Sequence, residues 1–138
     1  MMGIDYSPRA IEMAMRKGEV CGSKARFQVM DALEVMSLDR RFDTIIDSTL
    51  LPNIAKRDRR DYLDAVRGVL SSNGTFLLLI FHSERSSRTP PYRMTKEETM
   101  ALLAPDWRIN YIREGTIELD RPPRRLPAWV VSTSPNKA

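Results

Sequence analysis

The sequence predicts one α/β domain with a doubly wound, mostly parallel sheet, helices on both faces and an antiparallel pair of strands at its end. Two observations support this. Helical and strand-like periods alternate along the chain. The strand candidates, above all Thr75–Phe81, are nearly continuous apolar runs, as expected for strands covered on both faces. A length of 138 residues suffices for one core, so residues 1–138 are interpreted as a single domain.

The opening segment predicts a strand followed by a helix. Residues 1–4 form a short apolar run that ends at Asp5. Ser7 supplies a helix N-cap and Pro8 suits the first helical turn, where a missing backbone N–H costs nothing. A helix is therefore expected directly after the first strand.

Two further predicted strands also end in a carboxylate. Arg26–Met30 alternates with period two and stops at Asp31, and the β-branched run Phe42–Ile46 stops at Asp47. Together with Asp5, these acids are expected at one edge of the sheet, where ligands of such folds bind. A first carboxylate there suits ribose hydroxyls, and a second suits an adenine amino group. Aspartates also end strands because turns favour them, so the pattern alone leaves both interpretations open.

The second half continues the alternation. A helix is predicted from Lys56 to Leu70, and Asn73-Gly74 is expected to end it because both residues tolerate positive φ. Thr95 and Glu98 form a capping box for a short helix. The last two strand candidates are Trp107–Ile112 and Ala128–Val131, separated by Arg121–Pro127, and they are expected to pair antiparallel.

Composition narrows the function classes. The net charge is +4 and the pI about 9.5, but the arginines are scattered and aromatic residues are not interleaved with them. This disfavours a nucleic-acid-binding domain. Cys21 is the single cysteine and has no metal-ligand spacing around it, so neither an internal disulfide nor a metal site is predicted. No apolar stretch has the length of a membrane span, and a cytoplasmic protein is expected.

Several segments together resemble class I S-adenosylmethionine-dependent methyltransferases, almost from end to end of the chain. They are Gly3–Ala14 (second strand and helix), Met30–Leu33 (turn after the third strand), Phe42–Ser48 (fourth strand) and Leu70–Thr75 (entry to the fifth strand). Within that class, Phe42–Leu51 and Pro127–Val130 are similar to small-molecule methyltransferases related to the thiopurine methyltransferase and tellurite-resistance group.

The resemblance implies S-adenosylmethionine as cofactor and assigns roles to five residues. Asp5 would bind the ribose, and Tyr6 would lie beside the adenine. Asp31 and the backbone N–H of Ala32 would read the adenine edge, and Leu33 would cover the other ring face.

The resemblance also implies methyl transfer to a small-molecule acceptor by in-line displacement in a dry pocket at the carboxyl ends of the strands. Asp47 is expected to contact cofactor or substrate. His82, the only histidine, is a candidate proton acceptor, with a structural role as its alternative. Pro90, Pro91 and Tyr92 are expected to form a substrate-side loop.

The family's first strand and glycine-rich loop would precede Met1, so the domain is expected to be truncated there. Without that central strand, the inner edges of the neighbouring strands lose their partners. Either these two strands pair directly, or two chains associate to cover the gap, and a homodimer is the prediction. The alternative function is a non-catalytic remnant that acts as an interaction or assembly module, with cofactor affinity weak or lost.

Overall fold

The computed structural model describes residues 1–83 and 89–137. Its elements in chain order are β1 (Met2–Asp5), α1 (Pro8–Val20), β2 (Arg26–Val29), a 3₁₀ helix (Ala32–Leu38), β3 (Phe42–Ser48), α2 (Arg59–Val69), β4 (Leu70–Phe81), α3 (Lys96–Leu103), β5 (Trp107–Glu118) and β6 (Arg125–Pro135). Two short 3₁₀ turns, Leu51–Asn53 and Lys56–Asp58, lie between β3 and α2.

The strands form two sheets. In the smaller one β1 pairs parallel with β2, and in the larger one the order is β3-β4-β6-β5. There β3 and β4 are parallel, whereas β6 runs antiparallel to both of its neighbours, β4 and β5. The α/β class and the antiparallel final strands are therefore confirmed. The larger sheet is mixed, with one parallel and two antiparallel strand pairs.

Within the described ranges, no strand lies between β1 and β3, and these two strands do not pair with each other. Of the two outcomes expected for the gap, direct pairing is therefore not what the structure contains. The inner edges of β1 and β3 remain without a ladder partner among the described residues, and each sheet has to be stabilised by the helices packed on it.

The helices cover the two sheets differently. Helix α1 packs on β1 and β2, where Phe27 lies close to the backbone of Gly3 and Gly18. Helices α2 and α3 contribute to one core with the inward side chains of β4, where Leu63, Leu103 and Phe76 are almost fully buried. On the other face of the larger sheet, the side chain of Ile46 is 66% exposed.

A second, smaller cluster connects the two sheets. Val35 of the 3₁₀ helix is buried against Ala65 and Val69 of α2. Ile4 of β1 and Phe42 of β3 pack on this cluster from their separate sheets. Helix α2 and the 3₁₀ helix thus bridge the gap between β1 and β3 on one side.

Two predicted helix starts are confirmed. The Ser7 hydroxyl accepts a hydrogen bond from the Ala10 N–H at 3.3 Å, with Pro8 as the first residue of α1. At α3, the Thr95 hydroxyl accepts from the Glu98 N–H at 3.1 Å, and the Glu98 carboxylate accepts from the Thr95 N–H at 2.9 Å. Both devices satisfy backbone N–H groups that a helix leaves unpaired.

The predicted helix end at Leu70 lies one residue from the observed end at Val69, but the turn predicted at Asn73-Gly74 is wrong. The helix stops at Val69 and β4 begins at once with Leu70, which pairs with Phe42. The ladder is irregular until Thr75, so Asn73 and Gly74 lie within the irregular start of the strand. Leu70 is driven into the core at the helix end, and this tertiary burial overrides the local turn preference.

At Gly74 this irregular start requires a glycine. A Cβ there would lie 2.7 Å from Cγ of Leu70 and 2.9 Å from the carbonyl oxygen of Ser71. We predict that Gly74→Ala lowers the free energy of unfolding by about 1–3 kcal/mol through this overpacking. Urea denaturation measures the change.

Gly18→Ala is the matched control, since its Cβ would approach Phe27 only to 3.3 Å within α1. We expect a change within about 1 kcal/mol because alanine also raises helix propensity. Equal destabilisation by both substitutions would contradict the steric explanation.

Candidate functional site

Asp5 and Asp31 lie next to each other at the carboxyl ends of β1 and β2. The register pairs Asp5 with Val29, and the Asp5 carbonyl accepts a hydrogen bond from the Met30 N–H at 2.9 Å. Both carboxylates are exposed. The parallel pairing of β1 with β2 therefore brings together two of the three predicted acids.

Each of these carboxylates uses one oxygen to shape its own turn. Oδ1 of Asp5 accepts from the Ser7 N–H at 2.8 Å, and Oδ1 of Asp31 accepts from the Leu33 N–H at 2.9 Å. Neither Oδ2 atom has a partner among the described residues. The local bonds fix the orientation of both carboxyl groups and leave an accepting oxygen on each one for a ligand.

Apolar surface flanks the two acids. Tyr6 follows Asp5 directly and its side chain is 78% exposed, and Leu33 is 37% exposed. Ala32, half-buried, is the first residue of the 3₁₀ helix, where backbone N–H groups have no partner within the helix. We call these five residues, Asp5, Tyr6, Asp31, Ala32 and Leu33, the ledge. The ledge combines carboxylates, a backbone donor and an exposed ring and aliphatic group, which are the contacts that a nucleoside requires.

Asp47 is placed differently, because its carboxylate is buried and turned toward protein donors. Oδ1 accepts from the Leu50 N–H at 2.6 Å, while Oδ2 accepts from the Leu51 N–H at 3.0 Å and from the Tyr62 hydroxyl at 3.1 Å. The side chain is only 4% exposed. Both oxygens are therefore engaged within the chain.

Burial raises the pKa of Asp47 above its ordinary value, although the hydrogen bonds from Leu50, Tyr62 and Leu51 act in the opposite direction. Burial also raises the pKa of Tyr62, and the neighbouring Asp47 adds to that shift through its charge and its hydrogen bond. The tyrosine thus stays a hydroxyl donor. Tyr62 falls within the helix that the sequence predicts from Lys56 to Leu70, but no local pattern indicates a partner for its hydroxyl.

His82 lies just beyond the carboxyl end of β4, half-buried. Its ring centroid is 4.2 Å from that of Trp129, with the planes tilted by 43°. The Lys96 ammonium lies 6.0 Å from the centroid of the Trp129 ring. Trp129 Nε1 is buried without a partner in the part of the chain that the structure describes. Trp129 lies in the segment Pro127–Val130 noted above, but no local signal in the sequence indicates its contact with His82 or with Lys96.

The predicted substrate-side residues precede a segment that pairs with His82. Pro90 and Pro91 are exposed and Tyr92 is half-buried, and two residues further on Met94 forms a parallel bridge with His82. The intervening part of the predicted loop, residues 84–88, lies outside the described residues. The bridge therefore places Met94, two residues after Tyr92, next to His82.

A cleft of about 920 Å³ opens at the opposite ends of β1 and β2, lined among others by Met2, Arg26, Gly18 and Asp39. It therefore does not coincide with the ledge at Asp5 and Asp31. Among residues 1–83 and 89–137, no three His, Cys, Asp or Glu side chains are grouped to hold a metal ion. No helix in the same ranges is long and apolar enough to cross a membrane.

The buried Asp47 predicts a pH dependence of stability. Its pKa in the folded chain lies above the unfolded value of 3.8, so its stabilising contribution is full below that value and is lost as the pH rises through the folded pKa. Asn at position 47 does not titrate. We predict that the free energy of unfolding of the wild type minus that of Asp47→Asn falls from acid to neutral pH.

Urea unfolding at a series of pH values measures this difference. Asp120→Asn, at an exposed position in the β5–β6 connection, serves as control and should give a nearly constant difference. A wild-type advantage over Asp47→Asn that grows as the pH rises would show that the carboxylate is favoured in its charged form.

Comparison with known proteins finds a matching protein family. The profile described as "Methyltransferase domain" matches residues 1–74. Among curated proteins, the chain is 25% identical over 116 residues to the 2-heptyl-1-hydroxyquinolin-4(1H)-one methyltransferase of Mycobacteroides abscessus, covering 80% of this chain and 50% of that protein. The chain thus spans half the length of this relative.

Solved structures show the same fold. A protein studied for the conversion of a disulfide bond into a thioacetal group during echinomycin biosynthesis superposes with a TM-score of 0.78 at 25% identity, covering 98% of this chain and 66% of that one. The 1,6-didemethyltoxoflavin-N1-methyltransferase of Burkholderia thailandensis, solved with 1,6-didemethyltoxoflavin and S-adenosylhomocysteine, gives 0.70 at 23% identity, covering 99% and 61%. This chain covers 66% of the first structure and 61% of the second, so more than a third of each has no counterpart here.

Proposed function

The chain belongs to the methyltransferase domain family, and on that premise we propose that it binds S-adenosylmethionine and transfers the methyl group to a small-molecule acceptor. One observation carries the proposal. Asp5 and Asp31, at the carboxyl ends of two adjacent parallel strands, are oriented by their own turns and each keeps an accepting oxygen toward solvent.

The ledge fits the adenosine part of the cofactor. In this proposal Asp5 accepts hydrogen bonds from the ribose hydroxyls, and Asp31 accepts from the adenine amino group while the Ala32 N–H donates to the ring. The exposed side chains of Tyr6 and Leu33 lie on the two faces of the base. Covering them by a flat ring also removes apolar surface from water, which favours binding.

Bound S-adenosylmethionine supplies a methyl group on a positively charged sulfur. When the acceptor takes the methyl group, the sulfur leaves as a neutral thioether and needs no acid. The chain's contribution is to hold the acceptor in line and to exclude water. We assign proton acceptance to His82, and acceptor contact to Pro90, Pro91 and Tyr92, because Met94, two residues after Tyr92, forms a bridge with His82 beyond β4. The earlier assignment of Asp47 as a ligand-contacting residue requires its present hydrogen bonds to be exchanged.

A small-molecule acceptor is supported by the named relatives, one of which was solved with a small heterocyclic acceptor. Kinship with the thiopurine methyltransferase and tellurite-resistance group stays a prediction from residues 42–51 and 127–130. A cytoplasmic location is likewise part of the proposal and is supported by the lone cysteine.

The second candidate function is a non-catalytic interaction or assembly module. The inner edges of β1 and β3, which have no ladder partner among residues 1–83 and 89–137, favour it, because exposed strand edges recruit other chains. Both functions are compatible with a homodimer that covers these edges. The 66% exposed Ile46 on β3 and the 47% exposed Val29 on β2 supply apolar surface for such an association.

Calorimetric titration with S-adenosylhomocysteine separates the two functions. We predict binding that weakens about tenfold in Asp5→Asn, because the amide keeps the acceptor for the Ser7 N–H and loses the charged acceptor for ribose. Asp120→Asn should bind like the wild type. Absence of heat with millimolar ligand would exclude the cofactor site and leave the assembly module.

Light scattering coupled to gel filtration tests the homodimer. We predict a mass of twice 15.9 kDa for the wild type and of one chain for Ile46→Glu, since a buried charge opposes association. Met100→Glu, at a 43% exposed site on α3, is the matched control and should remain dimeric. A wild type that elutes as a single chain at all concentrations would refute the dimer.

A further inference from the structure

Residues 48–54 comprise the last residue of β3 and the connection that follows it. Side chains that flank this segment on both sides hold it in place. We call this segment the β3 loop. At its start, the buried Asp47 carboxylate accepts from the Leu50 and Leu51 N–H groups, and the Tyr62 hydroxyl donates to Oδ2 of the same carboxylate. Tyr62 lies on α2, so the helix fixes the carboxylate that orders the loop.

Arg59, the first residue of α2, holds the far end of the loop. Its Nε donates to the Ile54 carbonyl at 3.1 Å, and one terminal nitrogen donates to the Pro52 carbonyl at 3.0 Å. The Arg59 side chain is half-buried over the loop. Within the loop, the Asn53 amide donates to the Thr49 carbonyl at 2.6 Å.

These contacts maintain an unfavourable backbone conformation. Thr49 has φ of +69°, and a β-branched side chain is strongly disfavoured there. Its N–H donates to the Leu79 carbonyl at 2.9 Å, which ties it to the carboxyl end of β4. Such strain persists only where the surroundings over-determine the conformation, and it is concentrated at functional sites.

The position of the strained residue is informative. Ser48 pairs with Leu79, and His82 follows three residues later beyond the same strand end. The exposed Ser48 and the half-buried Thr49 therefore lie at the carboxyl end of β3, on the side of the sheet edge where His82 emerges. A change in the backbone of Thr49 would move both hydroxyl-bearing side chains.

We infer that Tyr62 and Arg59 are positioning residues for methyl transfer, and that they act by holding Ser48 and Thr49 of the β3 loop in place beside the acceptor. The inference rests on the proposed function. It assigns catalytic importance to two α2 side chains whose hydrogen bonds go to Asp47 and to the loop carbonyls. A merely structural role would lower stability without changing turnover of the folded protein.

Tyr62→Phe and Arg59→Lys test the inference. The first removes one hydroxyl and keeps the ring that packs edge-on against Phe76. The second keeps the charge and loses the two-pronged donation to Pro52 and Ile54. Tyr111→Phe on exposed β5 and Arg60→Lys, whose arginine pairs with Asp106 at 2.9 Å, are matched controls.

Hydrogen exchange of the Leu50 and Leu51 amides is measured first, on the folded protein without ligand. We expect exchange about tenfold faster in Tyr62→Phe and unchanged in both controls. Steady-state transfer from S-adenosylmethionine to a panel of soluble phenols, aromatic amines and thiols follows. Both test variants should lose about tenfold in kcat, with the S-adenosylhomocysteine Kd within about twofold of the wild type.

Two results would overturn the inference: unchanged exchange at Leu50 and Leu51, or faster exchange with kcat equal to that of the controls. A wild type that binds no S-adenosylhomocysteine and transfers no methyl group would instead refute the proposed function, and the positioning role with it. The exchange data would still report whether Tyr62 holds the loop, so the two failures are distinguishable.

Discussion

The arrangement of the site depends on the small apolar cluster between the two sheets. No backbone ladder joins β1 to β3 in the described ranges, so their relative position is set by side-chain packing. Val35, Ala65 and Val69 form the cluster, with Ile4 and Phe42 packed on it from either sheet. Full burial of one such aliphatic side chain contributes about 1.5–3 kcal/mol to the free energy of folding. A few contacts of this kind therefore fix the position of one sheet relative to the other.

The same helix, α2, controls both halves of the candidate site. Through Ala65 and Val69 it positions the 3₁₀ helix that follows Asp31, and through Tyr62 and Arg59 it shapes the loop that follows Asp47. The two kinds of carboxylate then have different uses. The exposed ones are oriented by short local bonds and stay available, whereas the buried one is consumed in ordering the backbone around it.

Local sequence signals predicted much of the fold. A strand that ends in an acid, a serine and a proline before a helix, and a threonine three residues before a glutamate each depend on neighbours a few positions away, and all were found at the expected places. The direct succession of α2 and β4 was missed, because the burial of Leu70 against distant residues outweighs the turn preference of Asn73-Gly74. The split into two sheets likewise depends on pairing across the whole fold.

The site was predicted in part for the same reason. Asp5 and Asp31 act through turns of two residues, which a sequence reveals. The hydrogen bonding of Asp47 depends on the hydroxyl of a helix residue fifteen positions away. The hydrogen bonding of Arg59 depends on carbonyl groups of an irregular loop, which has no sequence periodicity. Tertiary contacts of this kind leave no local pattern, so a motif identified the acid but not its partners.

A crystal structure of the protein grown with S-adenosylhomocysteine would show directly whether the ledge binds the cofactor. We expect density for the adenosine between Tyr6 and Leu33, with the ribose hydroxyls on Asp5 and the base edge on Asp31. Ligand bound instead in the cleft at the amino ends of β1 and β2, with the ledge unoccupied, would contradict it.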